Sequence, residues 1–174
     1  MIKNLLLFFT VAMFSLSACS GSTVLSNYSG PQYPETAQVA VLFQASQVQP
    51  SCRVFAELFA FFPADVSAQT IETVLVDEAR TRGAHVLLIG QSRESEKDED
   101  LYLMYLGPPR EYAMDRGWSD WIAGYTIWKE QLGWVSLGHG EWGRDDVTYP
   151  VPLAVQAAML RCQYTELKQA IITF

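Results

Sequence analysis

The chain has 174 residues, a hydrophobic fraction of 49%, an aromatic fraction of 13% and a formal net charge of −7. These values predict a folded domain with a substantial core and exclude a disordered chain. The acidity, together with the lack of any Lys/Arg cluster in the sequence, argues against nucleic acid and anionic lipid headgroups as partners.

Residues 1–19, MIKNLLLFFTVAMFSLSAC, have the pattern of an export signal. Lys3 forms a short basic start, and Leu5 to Phe14 form an apolar stretch. This stretch is too short for a stable transmembrane helix, and no second apolar span follows it. Small residues then precede Cys19, as expected at a cleavage site. The sequence therefore predicts export by means of a cleaved signal peptide.

The segment Leu16-Ser17-Ala18-Cys19 resembles the lipobox of bacterial lipoproteins at all four positions. The resemblance implies cleavage before Cys19 and acylation of both its thiol and its new amino group. Two or three acyl chains give stable membrane anchoring. Ser20, where an Asp would imply retention at the inner membrane, implies a periplasm-facing anchor in the outer membrane of a Gram-negative host. The alternative is an ordinary secreted protein with a cysteine at this position.

Two cysteines, Cys52 and Cys162, remain once Cys19 is assigned to lipid. An even pair in an oxidising compartment predicts a disulfide bond. This bond would close a long loop, for which chain entropy gives roughly 4 to 5 kcal/mol. The alternatives are two buried thiols or one reactive thiol.

The mature chain divides into two parts by composition. Residues 19–34 are rich in Ser, Gly and Pro, which predicts a lipidated, flexible tether. Residues 35–174 are expected to form a single globular domain. No internal repeat divides this region.

The first half of the domain has the pattern strand, strand, helix, strand. Strands are predicted at Val39–Phe43 and Cys52–Phe62, and the second is apolar on both alternating faces. Simple alternation groups Val54 with Ala56, Leu58, Ala60 and Phe62, and Phe55 with Glu57, Phe59 and Phe61. A helix is predicted over Ser67–Arg82, with Ser67 as N-cap and Gly83 just after its end. His85–Gly90 follows as a buried strand. The helix would make a right-handed crossover if it joins parallel strands.

The region Val39–Gly90 resembles small lipoproteins of the Rcs envelope-stress sensor type. The shared features are the lipobox, an early cysteine after a strand, the helix with its RGAHV exit and the buried strand. The resemblance implies a sensor or assembly factor of the outer membrane. That family uses two disulfides, whereas this chain has two cysteines besides Cys19.

The second half is more varied. Residues 91–100 predict a charged linker or a hairpin loop, and Leu101–Leu106 predicts a strand. Val151–Cys162 fits either a strand or a helix, and a strand would return the chain to the sheet beside Cys52. A short helix is predicted at Thr165–Ile172. The expected fold class is α+β, with one small mixed sheet packed by one or two helices and an aromatic-rich insertion.

The five tryptophans lie between Trp118 and Trp142. A helix is predicted over Asp115–Leu132, with Gly133 just after its end. One face of this helix carries Trp118, Trp121, Tyr125, Trp128 and Leu132. These rings form either a second small core or a binding surface for a protein partner or peptidoglycan. Trp134 and Trp142, which lie outside the helix, are expected to be the exposed ones.

Residues for catalysis or metal binding are sparse. His139, between two glycines, and Glu141 are the local candidates, and a metal site needs three or four converging ligands. No nucleophile, phosphate-binding or zinc motif is present in the sequence. We therefore expect no cofactor, no metal and no enzymatic activity. The predicted function is a binding or structural module of the cell envelope, whose candidate surface includes Trp134, His139 and Trp142. A hydrolase using Glu141 and His139 is the least favoured alternative.

Overall fold

The structure, a computed structural model, describes residues 25–107, 110–114 and 124–163. In chain order, the elements are β1 Leu25–Ser26, β2 Ala40–Leu42, a short 3-10 helix Ala45–Gln47, β3 Cys52–Phe62, β4 Val66–Ser67, α1 Ala68–Thr81, β5 Val86–Glu94, β6 Tyr102–Gly107, β7 Tyr112–Ala113, α2 Tyr125–Glu130, β8 Thr148–Tyr149 and β9 Leu153–Cys162. The predicted α+β class with a mixed sheet is confirmed, and β4 and β8 form a second, two-stranded antiparallel sheet. Neither α1 nor α2 is long and apolar enough to cross a membrane.

Several predictions lie outside the described residues. They are the signal peptide, the segment Leu16–Cys19 with Ser20, the part of the predicted tryptophan helix before Gly124, and the C-terminal helix Thr165–Ile172.

The main sheet has the strand order β1-β6-β3-β9-β5-β2, with β7 also paired to β3. Strand β9 runs antiparallel to both β3 and β5. The strands β3 and β5 are therefore parallel to each other, as a crossover through α1 requires, but β9 lies between them. All residues of β9 from Leu153 to Leu160 are buried, which suits a strand covered on both faces at the centre of the sheet.

The centre of the sheet is fastened by a disulfide bond between Cys52 and Cys162. The two cysteines lie directly opposite each other, at the start of β3 and the end of β9. The predicted disulfide is thus confirmed, as is the strand interpretation of Val151–Cys162, although the strand begins at Leu153. The two alternatives with free thiols are excluded.

A β-bulge near the start of β3 changes which side chains share a face. The pairing with β9 shifts between Val54 and Ala56, so Phe55 is the extra residue. Val54 packs on the side of Phe59, whereas Phe55 packs with Leu58 on the other side. Simple alternation predicted the reverse grouping of Val54 and Phe55, and that prediction is wrong because the bulge inverts the alternation.

The sheet carries a separate apolar cluster on each face. On one face, α1 packs the side chains of Ile71, Leu75 and Ala79 against the sheet. On the other face, Trp128 of α2 packs with Phe59 and with apolar side chains of β5 and β9. Burial on both faces explains the nearly continuous apolar sequence of β3.

Helix α1 begins and ends as its sequence predicts. The Ser67 hydroxyl oxygen accepts a hydrogen bond from the Thr70 backbone N–H at 3.1 Å, as an N-cap does. Gly83 follows the helix with φ +77°, and a Cβ there would lie 2.4 Å from the Pro34 carbonyl oxygen. Glycine is therefore required at this exit for both conformation and space.

Replacing this N-cap is expected to weaken the fold by a small, measurable amount. We expect Ser67→Ala to lower the free energy of unfolding by about 1 kcal/mol, because one amide of the first helical turn loses its acceptor. Urea denaturation followed by circular dichroism measures the change. Ser67→Asp is the control, since it supplies another capping oxygen and should stay within about 0.5 kcal/mol of wild type. Equal losses in both variants would contradict the capping role.

The segment before the predicted domain is folded onto it. Strand β1 pairs in parallel with β6, and the Asn27 side chain both accepts from the Tyr105 N–H at 2.6 Å and donates to its carbonyl. Tyr28 and Tyr33 pack against the core. The Thr36 backbone N–H donates to the Arg80 carbonyl at 3.1 Å. Residues 25–34, predicted to be part of a flexible tether, are thus part of the folded domain.

Strand β5 is longer than predicted. It extends beyond Gly90 to Glu94, with a shift in pairing to β9 between Ile89 and Ser92. The charged segment therefore begins at Ser95, and the prediction of a linker over residues 91–94 is wrong. Although these side chains are mostly polar, the backbone continues as a strand because it pairs with β9.

Candidate binding surface

The outer edge of β5 is completed by residues 132–135, which follow α2. Three backbone hydrogen bonds of 2.8–3.0 Å join this segment to Ser92–Glu94. Within it, Trp134 lies opposite Arg93 in an antiparallel bridge. Because Ser92–Glu94 also pairs with β9 on its other side, the backbone at Trp134 is fixed by the sheet.

The Arg93 guanidinium lies close to two indole rings. Its guanidinium carbon lies 5.5 Å from the Trp128 ring centroid and 5.1 Å from that of Trp134. The guanidinium also donates hydrogen bonds to the carbonyls of Leu132, at 2.8 Å, and Trp128, at 2.7 Å. These contacts give the guanidinium hydrogen-bond acceptors and two aromatic rings as neighbours, and they fix both rings relative to β5.

Three large apolar side chains are exposed in this region, and we call them the aromatic surface: Tyr125, Leu132 and Trp134. They are 64%, 47% and 66% exposed. In the part of the chain that the structure describes, they are the exposed large hydrophobic residues. Their concentration between positions 125 and 134 makes this segment the candidate binding surface.

Trp128 supports the aromatic surface from below. It is buried, stacks on Phe59 at a centroid distance of 5.5 Å, and meets the Trp134 ring edge-on at 6.0 Å. Gly124, at φ +74°, precedes α2, and a Cβ there would lie 2.4 Å from Leu106 Cδ1. The close approach at Gly124 lets α2 pack directly on the sheet.

The predicted single helix over Asp115–Leu132 is wrong. Helix α2 begins only at Tyr125, because Gly124 has a left-handed conformation that a continuing α-helix does not allow. It ends before Gln131, and Leu132 belongs to the extended segment beside β5. Consequently Trp128 faces the core, whereas Tyr125 and Leu132 face solvent.

The predicted surface of Trp134, His139 and Trp142 is divided. Trp134 is exposed, as expected, but Trp142 is half-buried in the cluster beside α1, with its ring 5.4 Å from that of Phe43. The prediction that Trp142 is exposed is therefore wrong. The exposed His139 packs its ring edge-on against Phe43 at 6.1 Å. These contacts place Trp142 and His139 with Phe43, and Trp134 with Trp128.

The pair His139 and Glu141 lies in a tight turn. Glu141 Oε2 accepts a hydrogen bond from the Gly138 N–H at 2.8 Å and so stabilises the turn itself. The Gly138 carbonyl accepts from the N–H of Trp142 at 3.0 Å. Within the described residues, no group of three His, Cys, Asp or Glu side chains could hold a metal ion.

Glu57 is a buried acid in β3 that the apolar pattern of this strand did not mark as a site. It is 4% exposed and accepts a hydrogen bond from the Tyr112 hydroxyl. Burial raises the pKa of Glu57, and the Tyr112 hydrogen bond partly opposes this effect. A lone carboxylate within an apolar run was the sequence signal for such a site. The bond joins β3 to β7.

A cleft of about 530 Å³ lies between residues 27–31 and β6. Beside it, the Tyr105 hydroxyl donates to Glu78 at 2.7 Å, and Glu78 pairs with Arg82 at 2.8 Å. The Arg82 guanidinium lies over the Tyr28 ring at 4.5 Å. Burial and the neighbouring Glu78 raise the pKa of Tyr105, so its hydroxyl stays protonated. These groups bond to one another and hold the N-terminal segment in place.

Comparisons of the chain with known protein families, with curated proteins and with solved structures found no match. The resemblance to lipoproteins and to the Rcs type therefore stays a prediction from the sequence.

Proposed function

We propose that this protein is a lipoprotein anchored in the outer membrane of a Gram-negative bacterium, facing the periplasm, where it acts as a non-enzymatic binding module. The aromatic surface carries the binding part of the proposal. Its central ring, Trp134, is exposed yet fixed by the backbone pairing at β5 and by Arg93. A rigid exposed ring contributes contact area with little loss of conformational entropy on binding.

Two observations support the cellular location. The sequence Leu16-Ser17-Ala18-Cys19 resembles a lipobox and supplies an acylation site. The Cys52–Cys162 disulfide is typical of exported proteins, since thiols stay reduced in most cytosols. The first supports a membrane anchor, and the second supports an oxidising compartment.

Removing the acylation site is expected to release the protein. We expect Cys19→Ser to move the protein from the membrane fraction to the soluble fraction of lysed cells, because its acyl chains are the proposed anchor. Fractionation with immunodetection measures the change. Ser20→Ala is the matched control and should stay with the membrane.

The same experiment can refute the anchor. If the Cys19→Ser protein stays in the membrane fraction after a high-salt wash, the lipobox interpretation is wrong. Outer and inner membranes separated on a density gradient then test the second part of the proposal, and recovery of wild type with the inner membrane would contradict it.

A further inference from the structure

The N-terminal strand fixes where the proposed lipid anchor joins the domain. Only residues 20–24 lie between Cys19 and Leu25 of β1. Even fully extended, this spacer reaches at most about 20 Å. The β1 edge of the sheet is therefore the part of the domain held closest to the membrane. This step rests on the proposed function.

Within the aromatic surface, Trp134 lies at the opposite edge of the same sheet. From β1, the order runs through β6, β3, β9 and β5 to the segment 132–135 that carries Trp134. Five steps of about 4.8 Å between neighbouring strands give about 24 Å along the sheet. The net charge of −7 supplies no attraction to an anionic bilayer that would turn this edge back to the membrane.

The aromatic surface is also small. Its three side chains present a few hundred Å² at most, whereas each partner in a stable protein complex buries about 800 Å². Beside them, the exposed Lys129 and Glu130 offer a donor and an acceptor of hydrogen bonds. One open ring face with polar neighbours suits a sugar ring.

The arrangement of Trp134 favours the same ligand. Arg93 lies over its ring at 5.1 Å, and the ring is still 66% exposed, which leaves a face open to solvent. The face of an indole carries negative charge density. The C–H groups on one side of a pyranose carry partial positive charge and can stack against it, while the hydroxyls around the rim bond to polar side chains.

We infer that the aromatic surface binds the glycan strands of the cell wall, on the side of the domain that faces away from the anchoring membrane. Trp134 stacks on a sugar ring, and the polar side chains around it bond to the sugar hydroxyls. The domain then connects the membrane, through β1, to a polymer at its opposite edge.

Binding is tested by cosedimentation of the full-length protein, in detergent, with purified peptidoglycan sacculi. We expect wild type to sediment with sacculi and Trp134→Ala to bind about tenfold more weakly, the scale of one lost stacking contact. Trp134→Phe should keep most of the affinity, because it keeps a ring face. Trp134→Leu should behave as Trp134→Ala, since it is apolar but has no ring. Circular dichroism confirms that each variant is folded.

Three results would overturn the inference. One is no sedimentation of wild type with sacculi. Another is wild-type binding by Trp134→Leu, which would indicate a general apolar contact of the kind made with a protein. The third comes from protein reconstituted in vesicles of brominated lipids. The contribution of Trp134 is the emission of wild type minus that of Trp134→Phe. We expect this contribution to be the same in brominated and unbrominated vesicles. Its loss in brominated vesicles would place Trp134 at the bilayer.

The Cys19→Ser protein separates the failure of this inference from failure of the proposed anchor. Its aromatic surface is unchanged, so it should bind sacculi as wild type does. If it stays in the membrane fraction but binds sacculi, the anchor is wrong and glycan binding stands. If the Cys19→Ser protein is soluble, and neither it nor wild type binds sacculi, the anchor stands and glycan binding is wrong.

Discussion

Removing the disulfide is expected to lower the free energy of unfolding by about 4 to 5 kcal/mol. The bond joins residues separated by 110 positions, and the chain-entropy model gives this value for so long a loop. It also fastens the two strands at the centre of the sheet, β3 and β9. Because typical domains are stable by about 5–15 kcal/mol, this loss is a large share of the total. Urea denaturation of the double variant Cys52→Ala/Cys162→Ala measures it.

Reduced wild type is the matched control for this variant. It lacks the bond but keeps both sulfur atoms, so its loss in unfolding free energy should agree with that of the double variant. The single variant Cys52→Ser should leave Cys162 open to alkylation after unfolding, whereas oxidised wild type should incorporate no label at these positions. Equal stability of oxidised wild type, reduced wild type and the double variant would contradict a stabilising role for the bond.

Phe59→Ala is expected to have the second largest effect. Phe59 is 1% exposed, and its ring stacks on Trp128 and contacts Phe61 edge-on. Truncation leaves a cavity, which typically costs about 3–5 kcal/mol for a buried Phe. It also removes the support below Trp128, and we therefore expect the tryptophan emission to shift to longer wavelength. Urea denaturation and fluorescence spectra measure the two effects.

Leu75→Ala is the control that distinguishes a general loss of core packing from loss of the support that Phe59 gives to Trp128. Leu75 is fully buried on the face of the sheet covered by α1, and its truncation should cost about 2–5 kcal/mol. Trp128 belongs to the cluster on the opposite face, whereas Trp142 packs against the cluster of Leu75. In a Trp142→Phe background, used for both variants, we therefore expect Leu75→Ala to cause no shift in emission. If the two variants shift the spectrum equally, the stacking of Phe59 on Trp128 does not position the ring.

Local sequence was sufficient for several elements because their signals lie within a few residues of each other. Ser67 and Gly83 mark the ends of α1 through capping and a left-handed exit. The apolar run Cys52–Phe62 predicts a strand covered on both faces, and the structure has a strand with these bounds. The tryptophan segment was harder, because aromatic spacing fits a helix while Gly124 prevents one from continuing.

The binding surface could be predicted only in part. Trp134 was expected to be exposed and is. Whether Trp142 is exposed depends on Phe43, which is distant in the sequence and covers its ring. Likewise, the sequence places Arg93 in a predicted charged linker, and only the pairing of β5 with residues 132–135 brings it close to two indole rings.

By itself, the sequence determined the fold class, helix α1, strand β3 and, through the count of cysteines, the disulfide pair. Only the tertiary structure decided that β9 lies between β3 and β5, that Phe55 forms a bulge, and that residues 25–34 belong to the domain. The reason is physical. Propensity, capping and periodicity act over neighbouring residues, whereas strand order and register depend on contacts between residues as far apart as Cys52 and Cys162. Those contacts place β1 and Trp134 at opposite edges of the sheet.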